Sequence, residues 1–248
     1  MNILMIDTSG PACGAALMKD GKLVAEMTLV SGLTHSQRVM PMVDSLLAMS
    51  GTEMEEIDVF GAVVGPGSFT GVRIGVSTVK ALAHAMGKPC IGVDALEALA
   101  ANIHAFDGVI CPILDARAQQ VYGAMFEAGD PPVRLTDDEP MKLTAFLDAV
   151  EKTGRRALFL GDGAPVFREM IAARMGEAAQ FAAPQNTGIR AGSACAAAYR
   201  RIMEQGEAAL QDYVTLLPLY LRAPQAERER AAREAAKSAE AAKEAQHG

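Results

Sequence analysis

The residues from Gly65 to Gly71, Gly-Pro-Gly-Ser-Phe-Thr-Gly, have the composition of a loop that could hold a phosphate group. They follow a short apolar run, Phe60 to Val64, which predicts a buried strand, and they precede a segment with helical spacing. A glycine turn that leads into a helix commonly binds anions, because unpaired amides and the helix dipole favour negative charge. This loop is the first candidate for chemistry in the chain.

The two best-known phosphate-binding patterns fit the loop poorly. A Walker loop needs a Lys-Ser/Thr pair after its last glycine, whereas Val72 and Arg73 follow Gly71. A dinucleotide-binding loop is closer, with glycines spaced G-x-G-x-x-x-G and Asp94 at the end of the next apolar strand, where a ribose-binding acid would lie. The remaining interpretation is a structural turn, which the residues after the loop favour.

A helix is predicted after the loop, with one apolar stripe and one face of small side chains. The small face consists of Gly71, Gly75, Thr78 and Leu82, and Gly87 ends the helix. A glycine inside a helix costs roughly 1 kcal/mol relative to alanine, so Gly75 indicates a close approach by another element. That element is either the chain's own sheet or a helix of a partner subunit, and the sequence leaves both open.

Other chemistry-bearing residues are too scattered to form a recognisable site. The four cysteines show no C-x-x-C pair and the four histidines no H-x-x-x-H pair, so we predict free, packed thiols and no metal site. No Ser/His/Asp arrangement or reactive-cysteine context indicates a peptidase. We therefore predict no catalytic residues.

The composition limits the possible partners and compartment. The chain has 248 residues, half of them apolar, which suffices for one large or two small domains. A net charge of −7 argues against a dominant grip on nucleic acid by this chain alone. Reduced cysteines, an N-terminus without a basic, apolar leader and the lack of a long apolar run predict a cytoplasmic protein without a membrane span.

The predicted elements occur in the same order twice. In the first half three strands, the last two joined as a hairpin, precede a helix over about 35–50, a strand at 57–64, the helix over 71–86, a strand at 89–93 and a helix from Asp94. In the second half the predicted elements are strands at 109–114, 120–127 and 133–135, a helix at 143–151, a strand at 157–160, a turn at 161–163 and helices at 165–175 and 191–205. Each half opens with a strand that ends in aspartate, Asp7 or Asp115.

This duplicated order resembles the superfamily of sugar kinases, chaperone ATPases and actin (the ASKHA fold). The resemblance implies an α/β fold of two lobes, each with a mixed five-stranded sheet: residues 1–105 form the first lobe and 106–222 the second, whose last helix returns to pack on the first. In active members, the strand-end aspartates and the adjacent turns hold phosphate and magnesium between the lobes. The matching candidates for nucleotide or phosphate are Asp7, Thr8, Ser9, Asp115, Gly161 and Gly163.

A more specific resemblance is to the TsaB (YeaZ) family, accessory subunits of the bacterial machinery that makes threonylcarbamoyladenosine in tRNA. It rests on Ile6-Asp7-Thr8-Ser9, on His35-Ser36-Gln37-Arg38 with Pro41-Met42, and above all on the eleven-residue run from Gly65 to Gly75. Further matches are Ile91-Gly92-Val93, Leu114-Asp115-Ala116-Arg117 with Val121-Tyr122, and Leu219-Tyr220-Leu221-Arg222. The resemblance spans residues 1 to about 225 and leaves out the charged, Ala-rich tail at 223–248.

The family resemblance implies a noncatalytic scaffold. Such a subunit binds the catalytic paralogue TsaD, with the ATPase TsaE in the larger assembly, reaches tRNA only through the complex and forms a homodimer alone. TsaC would supply threonylcarbamoyl-adenylate. No cofactor of its own is expected, with ATP or ADP at the partner interface. The interface is expected on the helices 35–50 and 71–86, at His35, Gln37, Pro41, Met42, Gly71, Gly75, Thr78 and Leu82.

The principal alternative is an ATP-dependent small-molecule or acyl kinase of the same superfamily, with Asp7 and Asp115 around Mg-ATP. A kinase would turn over or bind nucleotide by itself, whereas a scaffold would do little until its partner is added.

Overall fold

A computed structural model describes residues 1–222, and the predicted charged tail at 223–248 lies outside the described residues. The first half forms three strands, a helix, a strand, a helix, a strand and a short helix. Their bounds are β1 Asn2–Asp7, β2 Cys13–Lys19, β3 Lys22–Leu29, α1 His35–Ser50, β4 Val59–Gly65, α2 Phe69–Met86, β5 Cys90–Asp94 and α3 Ala95–Ala100. This order agrees with the sequence prediction.

The second half repeats the pattern with additional short elements. Its strands are β6 Val109–Asp115, β7 Gln120–Gly123, β8 Phe126–Glu127, β9 Val133–Arg134, β10 Glu139–Lys142, β11 Ala157–Leu160 and β12 Ala179–Phe181. Its helices are α4 Leu143–Lys152, α5 Gly163–Val166, α6 Arg168–Met175, α7 Pro184–Thr187 and α8 Ala191–Gln205. The strand predicted at 120–127 is split into β7 and β8, and the helix predicted at 165–175 is interrupted at Phe167.

The two sheets share one strand order. The first sheet runs β3-β2-β1-β4-β5, with β1, β4 and β5 parallel, β2 antiparallel to β1, and β2 and β3 paired as an antiparallel hairpin. The second runs β10-β7-β6-β11-β12. Two short strands lie off this path, because β8 pairs with β6 and β9 pairs with β8. Five strands thus follow one path, as predicted, and the additional short strands β8 and β9 bring the second sheet to seven.

Helix α8 returns to the first lobe and packs against its sheet. Its alanines share one core cluster with Ile3 and Met5 of β1, and the Cys195 thiol donates to the Ile3 carbonyl at 3.6 Å. Small side chains allow this helix to lie close to the strands. All four cysteines are free and buried, as predicted.

The ends of the first sheet's parallel strands carry polar residues. Because β1, β4 and β5 run in the same direction, Asp7, Gly65 and Asp94 all lie at one edge of the sheet. Asp94 also caps α3, its Oδ1 accepting from the Glu97 amide at 2.8 Å. In residues 1–222 no helix has the length and apolar character needed to cross a membrane.

Candidate functional site

A cavity of about 720 Å³ lies where the ends of β1 and β6 face each other. The loop before α2 forms one wall and the last described residues form another. The lining consists of Ser9, Gly10, Pro11, His35, residues 66–70, Asp115, Ala116, Arg117, Tyr122, Asp162 and residues 219–222. Both predicted strand-end turns thus contribute to one cavity, but each contributes only part of the predicted residues.

In the first turn Asp7 and Thr8 do not line the cavity. Asp7 is 2% exposed, and its Oδ1 accepts from the Ser9 amide at 2.8 Å and from the Ser9 hydroxyl at 2.6 Å. Burial raises the pKa of Asp7 to about 6, although the bonds from Ser9 and the nearby His35 pull it down. Ser9 alone of these three residues lines the cavity. The Oδ1 of Asp7, a residue that the kinase alternative would place around Mg-ATP, is therefore engaged by its own turn.

The glycines of the 65–71 loop serve to pack this loop and α2 against the same turn. A Cβ at Gly67 would lie 2.4 Å from the Ser9 carbonyl oxygen, and one at Gly71 would lie 2.1 Å from the Thr8 carbonyl oxygen. A Cβ at Gly75 would lie 2.5 Å from the Thr8 Oγ1. These close contacts support the structural interpretation of the loop glycines. The assignment of Gly71 and Gly75 to a partner interface is wrong, because both are buried against the Thr8 turn of the same chain.

Hydrogen bonds hold the same contact. The Ser68 amide donates to the Ser9 carbonyl at 2.7 Å, and the Ser68 hydroxyl accepts from the Gly71 amide at 3.2 Å as the N-cap of α2. The Thr8 hydroxyl donates to the Gly71 carbonyl at 2.7 Å. The first amides of α2, which would otherwise attract an anion, are thus in part occupied by the chain itself.

The second turn brings two carboxylates to the cavity. The Asp115 amide donates to the Asp162 Oδ1 at 2.9 Å, and the Asp115 Oδ1 accepts from the Arg117 amide at 2.9 Å. Burial raises the pKa of Asp162. The two predicted glycines do not line the cavity: Gly161 has φ +95°, and a Cβ on it would lie 2.1 Å from the Ile113 carbonyl oxygen, while a Cβ on Gly163 would lie 3.1 Å from the same atom. Both glycines let the turn pack on β6.

The segment 211–222, which we call the strap, forms a wall of the cavity with its last four residues. It pairs with Cys90 through Gln211, donates from the Leu219 amide to the Val64 carbonyl at 2.7 Å, and buries Leu216 in the core of the first lobe. At the cavity the Tyr220 ring stacks on Phe69, 4.7 Å between centroids. The strap therefore ties the end of the described chain to the first lobe, beside the cavity.

Arg73 joins the strap to α2. Its Nε donates to the Tyr220 hydroxyl at 2.7 Å, and its guanidinium carbon lies 4.0 Å from the Phe69 ring centroid. At the far end of the strap Arg222 reaches the Ala116 carbonyl of the second lobe at 3.5 Å. The residue types alone gave no signal for these contacts, since they join positions 147 and 106 residues apart.

The remaining residues predicted at a partner interface fall into two groups. Met42 is 5% exposed and packs in the core, so its assignment to the interface is wrong. Leu82 packs partly against that core, and the His35 Nε2 lies 3.0 Å from the Gly10 carbonyl at the cavity. Gln37, Pro41 and Thr78 are exposed or partly exposed on α1 and α2.

These three residues belong to two regular stripes on helices that contact each other. Positions 37, 41, 44 and 48 of α1 are all exposed, and positions 74, 78, 81 and 85 of α2 are partly or fully exposed. The 4-3-4 spacing puts each set on one face of its helix. The side chains are mostly small, Gln, Pro, Asp and Ala on α1 and Ile, Thr, Ala and Ala on α2. We call these two sets the outer stripes.

The cavity does not fit the magnesium arrangement of an active kinase. Asp115 and Asp162 face it, but the Asp7 carboxylate neither lines it nor has its Oδ1 free. Within residues 1–222 no three His, Cys, Asp or Glu side chains are grouped so as to hold a metal ion. Besides these two carboxylates, the cavity is lined by the aromatic rings of Phe69, Tyr122 and Tyr220 and by the cations Arg117 and Arg222.

The two lobes have the same strand order in their sheets, and a cavity formed by their strand-end turns lies between them. This arrangement defines an α/β protein of the actin-like ASKHA class. The family model described as "TsaD: tRNA N6-adenosine threonylcarbamoyltransferase" matches residues 30–230. The TsaB protein of Bacillus subtilis is 38% identical over 172 residues, 69% of this chain and 75% of that protein. The chain belongs to the family that this model describes and, within it, to the TsaB (YeaZ) proteins.

Two further comparisons agree with this membership. The TsaB protein of Escherichia coli is 40% identical over 129 residues, which are 51% of this chain and 55% of that protein. The solved structure of YeaZ from Pseudomonas aeruginosa superimposes with a TM-score of 0.74 and 26% identity, covering 89% of this chain and 99% of that one. The structural match covers 89% of this chain, whereas the two sequence matches cover 69% and 51% of it.

Proposed function

We propose that this chain is a noncatalytic subunit of a tRNA threonylcarbamoyladenosine machinery and that it binds a TsaD-type catalytic subunit. The names of the relatives, "tRNA threonylcarbamoyladenosine biosynthesis protein TsaB", support a role in that pathway. The proposal that the chain does no chemistry rests on the first strand-end turn, where Asp7 is buried and accepts both hydrogen bonds from Ser9. A kinase of this fold class needs that carboxylate at the cavity.

The outer stripes are the surface we assign to the partner. Each helix presents small side chains at 4-3-4 spacing, so a partner helix can lie close along it and bury a compact interface. In the absence of TsaD the same stripes pair two copies of this chain in a homodimer. A TsaE-type ATPase joins the larger assembly, and with a net charge of −7 the chain reaches tRNA only through the complex.

The cavity supports a secondary role in the assembly. Its aromatic rings and arginines suit ATP or ADP, and we propose that nucleotide binds where the cavity meets the partner rather than as a cofactor that this chain turns over. Without Asp7 as a magnesium ligand, the chain holds the nucleotide in place and performs no phosphoryl transfer.

The test compares two alanine-to-arginine variants. Ala81 lies on the outer stripe of α2, and Ala173 is another exposed helical alanine, on α6 of the second lobe. Ala81→Arg places a long cation in the proposed helix contact and should abolish copurification with the TsaD subunit of the same organism, while Ala173→Arg should copurify at the yield of the unmodified chain. Equal recovery of TsaD with both variants would refute the interface.

A further inference from the structure

Three side chains form a closed cluster on the first-lobe wall of the cavity. Phe69 and Tyr220 both line the cavity, and their rings stack 4.7 Å apart with 30° between the planes. The Arg73 guanidinium carbon lies 4.0 Å from the Phe69 ring centroid and 5.6 Å from that of Tyr220. The Arg73 Nε also donates to the Tyr220 hydroxyl at 2.7 Å. The chain thus uses these two rings and this cation on one another.

The stack leaves no room for a ligand ring between Phe69 and Tyr220. Carbon atoms in contact lie about 3.5–4.0 Å apart, so a planar ligand between two rings would need roughly 7 Å between them. The observed 4.7 Å is the separation of two rings in direct contact. Tyr220 therefore occupies the position in which a planar ligand would stack on this face of Phe69.

The segment that carries Tyr220 is held by single contacts. We call residues 217–222, the part of the strap beyond the buried Leu216, the lid. Within the described part of the chain the lid belongs to no strand. Its Leu219 amide donates to a backbone carbonyl of β4 at 2.7 Å, and Arg222 reaches the second lobe at 3.5 Å, which is longer than a usual hydrogen bond. The Tyr220 side chain is 40% exposed.

The part of the strap before the lid is fixed more firmly. Leu216 is buried in the core of the first lobe. The Asp212 Oδ1 accepts from the Val214 and Thr215 amides at 2.7 and 2.8 Å. The Lys80 Nζ of α2 donates to the carbonyls of Val214 and Leu216 at 3.3 and 3.1 Å. The change from several contacts to single ones at Leu216 marks the point where the lid can turn.

We propose that the lid is an autoinhibitory element, in which Tyr220 stacks on Phe69 in place of the ring of an aromatic, anionic ligand. This role rests on the proposed function, in which the cavity holds ATP or ADP. The base of such a ligand stacks on this face of Phe69 when the lid turns outward at Leu216, which also releases Arg73 from the Tyr220 hydroxyl. The closed lid lowers the apparent affinity in proportion to the fraction of chains that are open.

Calorimetric titration of the purified full chain with ATP tests the lid. Tyr220→Ala removes the competing ring and should tighten ATP binding by about fivefold or more. Tyr213→Ala is the matched control and should leave the affinity unchanged, because Tyr213 is a strap tyrosine of similar exposure, 37%, that does not line the cavity. Its ring lies 4.4 Å from that of His84 instead. Inorganic triphosphate, which has no ring to stack, should bind the unmodified and Tyr220→Ala chains equally.

Hydrogen exchange gives a second measurement on the unmodified chain. Saturating ATP should speed exchange of the Leu219 amide by about threefold or more, because the lid must leave β4 before the base can stack. The Val214 amide, bound by Asp212, should keep its protection. Tyr220→Phe keeps the ring but loses the hydrogen bond from Arg73, so it should tighten ATP binding by about twofold, and it replaces the alanine variant if that variant does not fold.

The proposal is overturned if Tyr220→Ala, or Tyr220→Phe in its place, binds ATP no more tightly than the unmodified chain, or if neither binds it. It is also overturned if triphosphate binding gains as much as ATP binding, or if saturating ATP slows exchange at Leu219 or leaves it unchanged. A chain that shows the expected ATP results but does not copurify with a TsaD subunit would contradict the proposed partner and support the lid.

Discussion

The contact between α2 and the Thr8 turn allows a sharp test of the packing that holds the first lobe together. The variant Gly75→Ala adds one methyl group whose only close neighbour is the Thr8 Oγ1, at 2.5 Å, since the next nearest atoms, the Thr8 Cβ and N, lie at ordinary distances of 3.7 and 3.8 Å. Removing that oxygen by Thr8→Ala should therefore make room for the methyl group. The two substitutions are expected to be strongly coupled.

The magnitudes follow from two opposing effects. Overpacking a well-filled site costs about 1–3 kcal/mol, and replacing glycine by alanine inside a helix returns about 1 kcal/mol. Gly75→Ala should therefore lower the free energy of unfolding by about 0–2 kcal/mol in the unmodified chain and raise it by about 1 kcal/mol in the Thr8→Ala chain. The coupling energy of the pair is then about 1–3 kcal/mol, in the range found for residues in contact.

The assay is equilibrium unfolding in urea of the unmodified chain, the two single variants and the double variant, followed by circular dichroism. Gly71→Ala is the matched control, because its methyl group would meet the backbone carbonyl oxygen of Thr8 at 2.1 Å, which Thr8→Ala does not remove. It should be destabilising in both backgrounds. If Gly75→Ala has the same effect with and without the Thr8 hydroxyl, within about 0.5 kcal/mol, the packing argument is refuted.

Two further predictions concern the buried turn and the strap. Asp7→Asn should flatten the pH dependence of stability between pH 4 and 6. Because the pKa of Asp7 is raised from 3.8 to about 6, the folded state holds the extra proton, and the unmodified chain loses up to about 3 kcal/mol of stability as pH rises through this window. Thermal unfolding at several pH values measures this loss, and an unchanged slope in the variant would contradict the prediction. Leu216→Ala should lower the free energy of unfolding by about 2–5 kcal/mol and speed hydrogen exchange of the Leu219 amide, because Leu216 is 1% exposed and anchors the strap. Leu217→Ala, at a side chain that is 65% exposed, should change the free energy of unfolding by no more than about 0.5 kcal/mol. Equal effects of the two variants would show that the strap is not anchored at Leu216.

The sequence predicted the helices correctly where the spacing of apolar residues matches the residues that are buried. The helices predicted at 35–50 and 71–86 agree with α1 and α2 to within two residues, and Gly87 ends α2 as predicted. The two aspartates at strand ends, Asp7 and Asp115, were also predicted from the sequence. The short edge elements β10, β12 and α7 were missed because three or four residues carry no measurable periodicity.

The contacts of small residues could not be predicted from sequence. A stripe of Gly71, Gly75 and Thr78 looks the same whether a segment of the same chain or a helix of another subunit covers it. The structure shows that Thr8, just after β1, covers the two glycines and leaves Thr78 partly exposed. Similarly, the superfamily resemblance made Asp7 a candidate for nucleotide or phosphate, but its two hydrogen bonds from Ser9 depend on how the turn closes. Contacts between distant positions, such as Arg73 with Tyr220, have no sequence signal in a single chain.

Reconstitution of tRNA modification tests the central claim most directly. The purified chain is assayed alone for ATP hydrolysis, and the complete set of threonylcarbamoyladenosine proteins is then assayed on tRNA with and without it. We predict no ATP turnover by the chain alone and loss of modification when it is omitted. Steady magnesium-dependent turnover by the chain alone, or full tRNA modification in its absence, would contradict the proposal that it is a noncatalytic subunit.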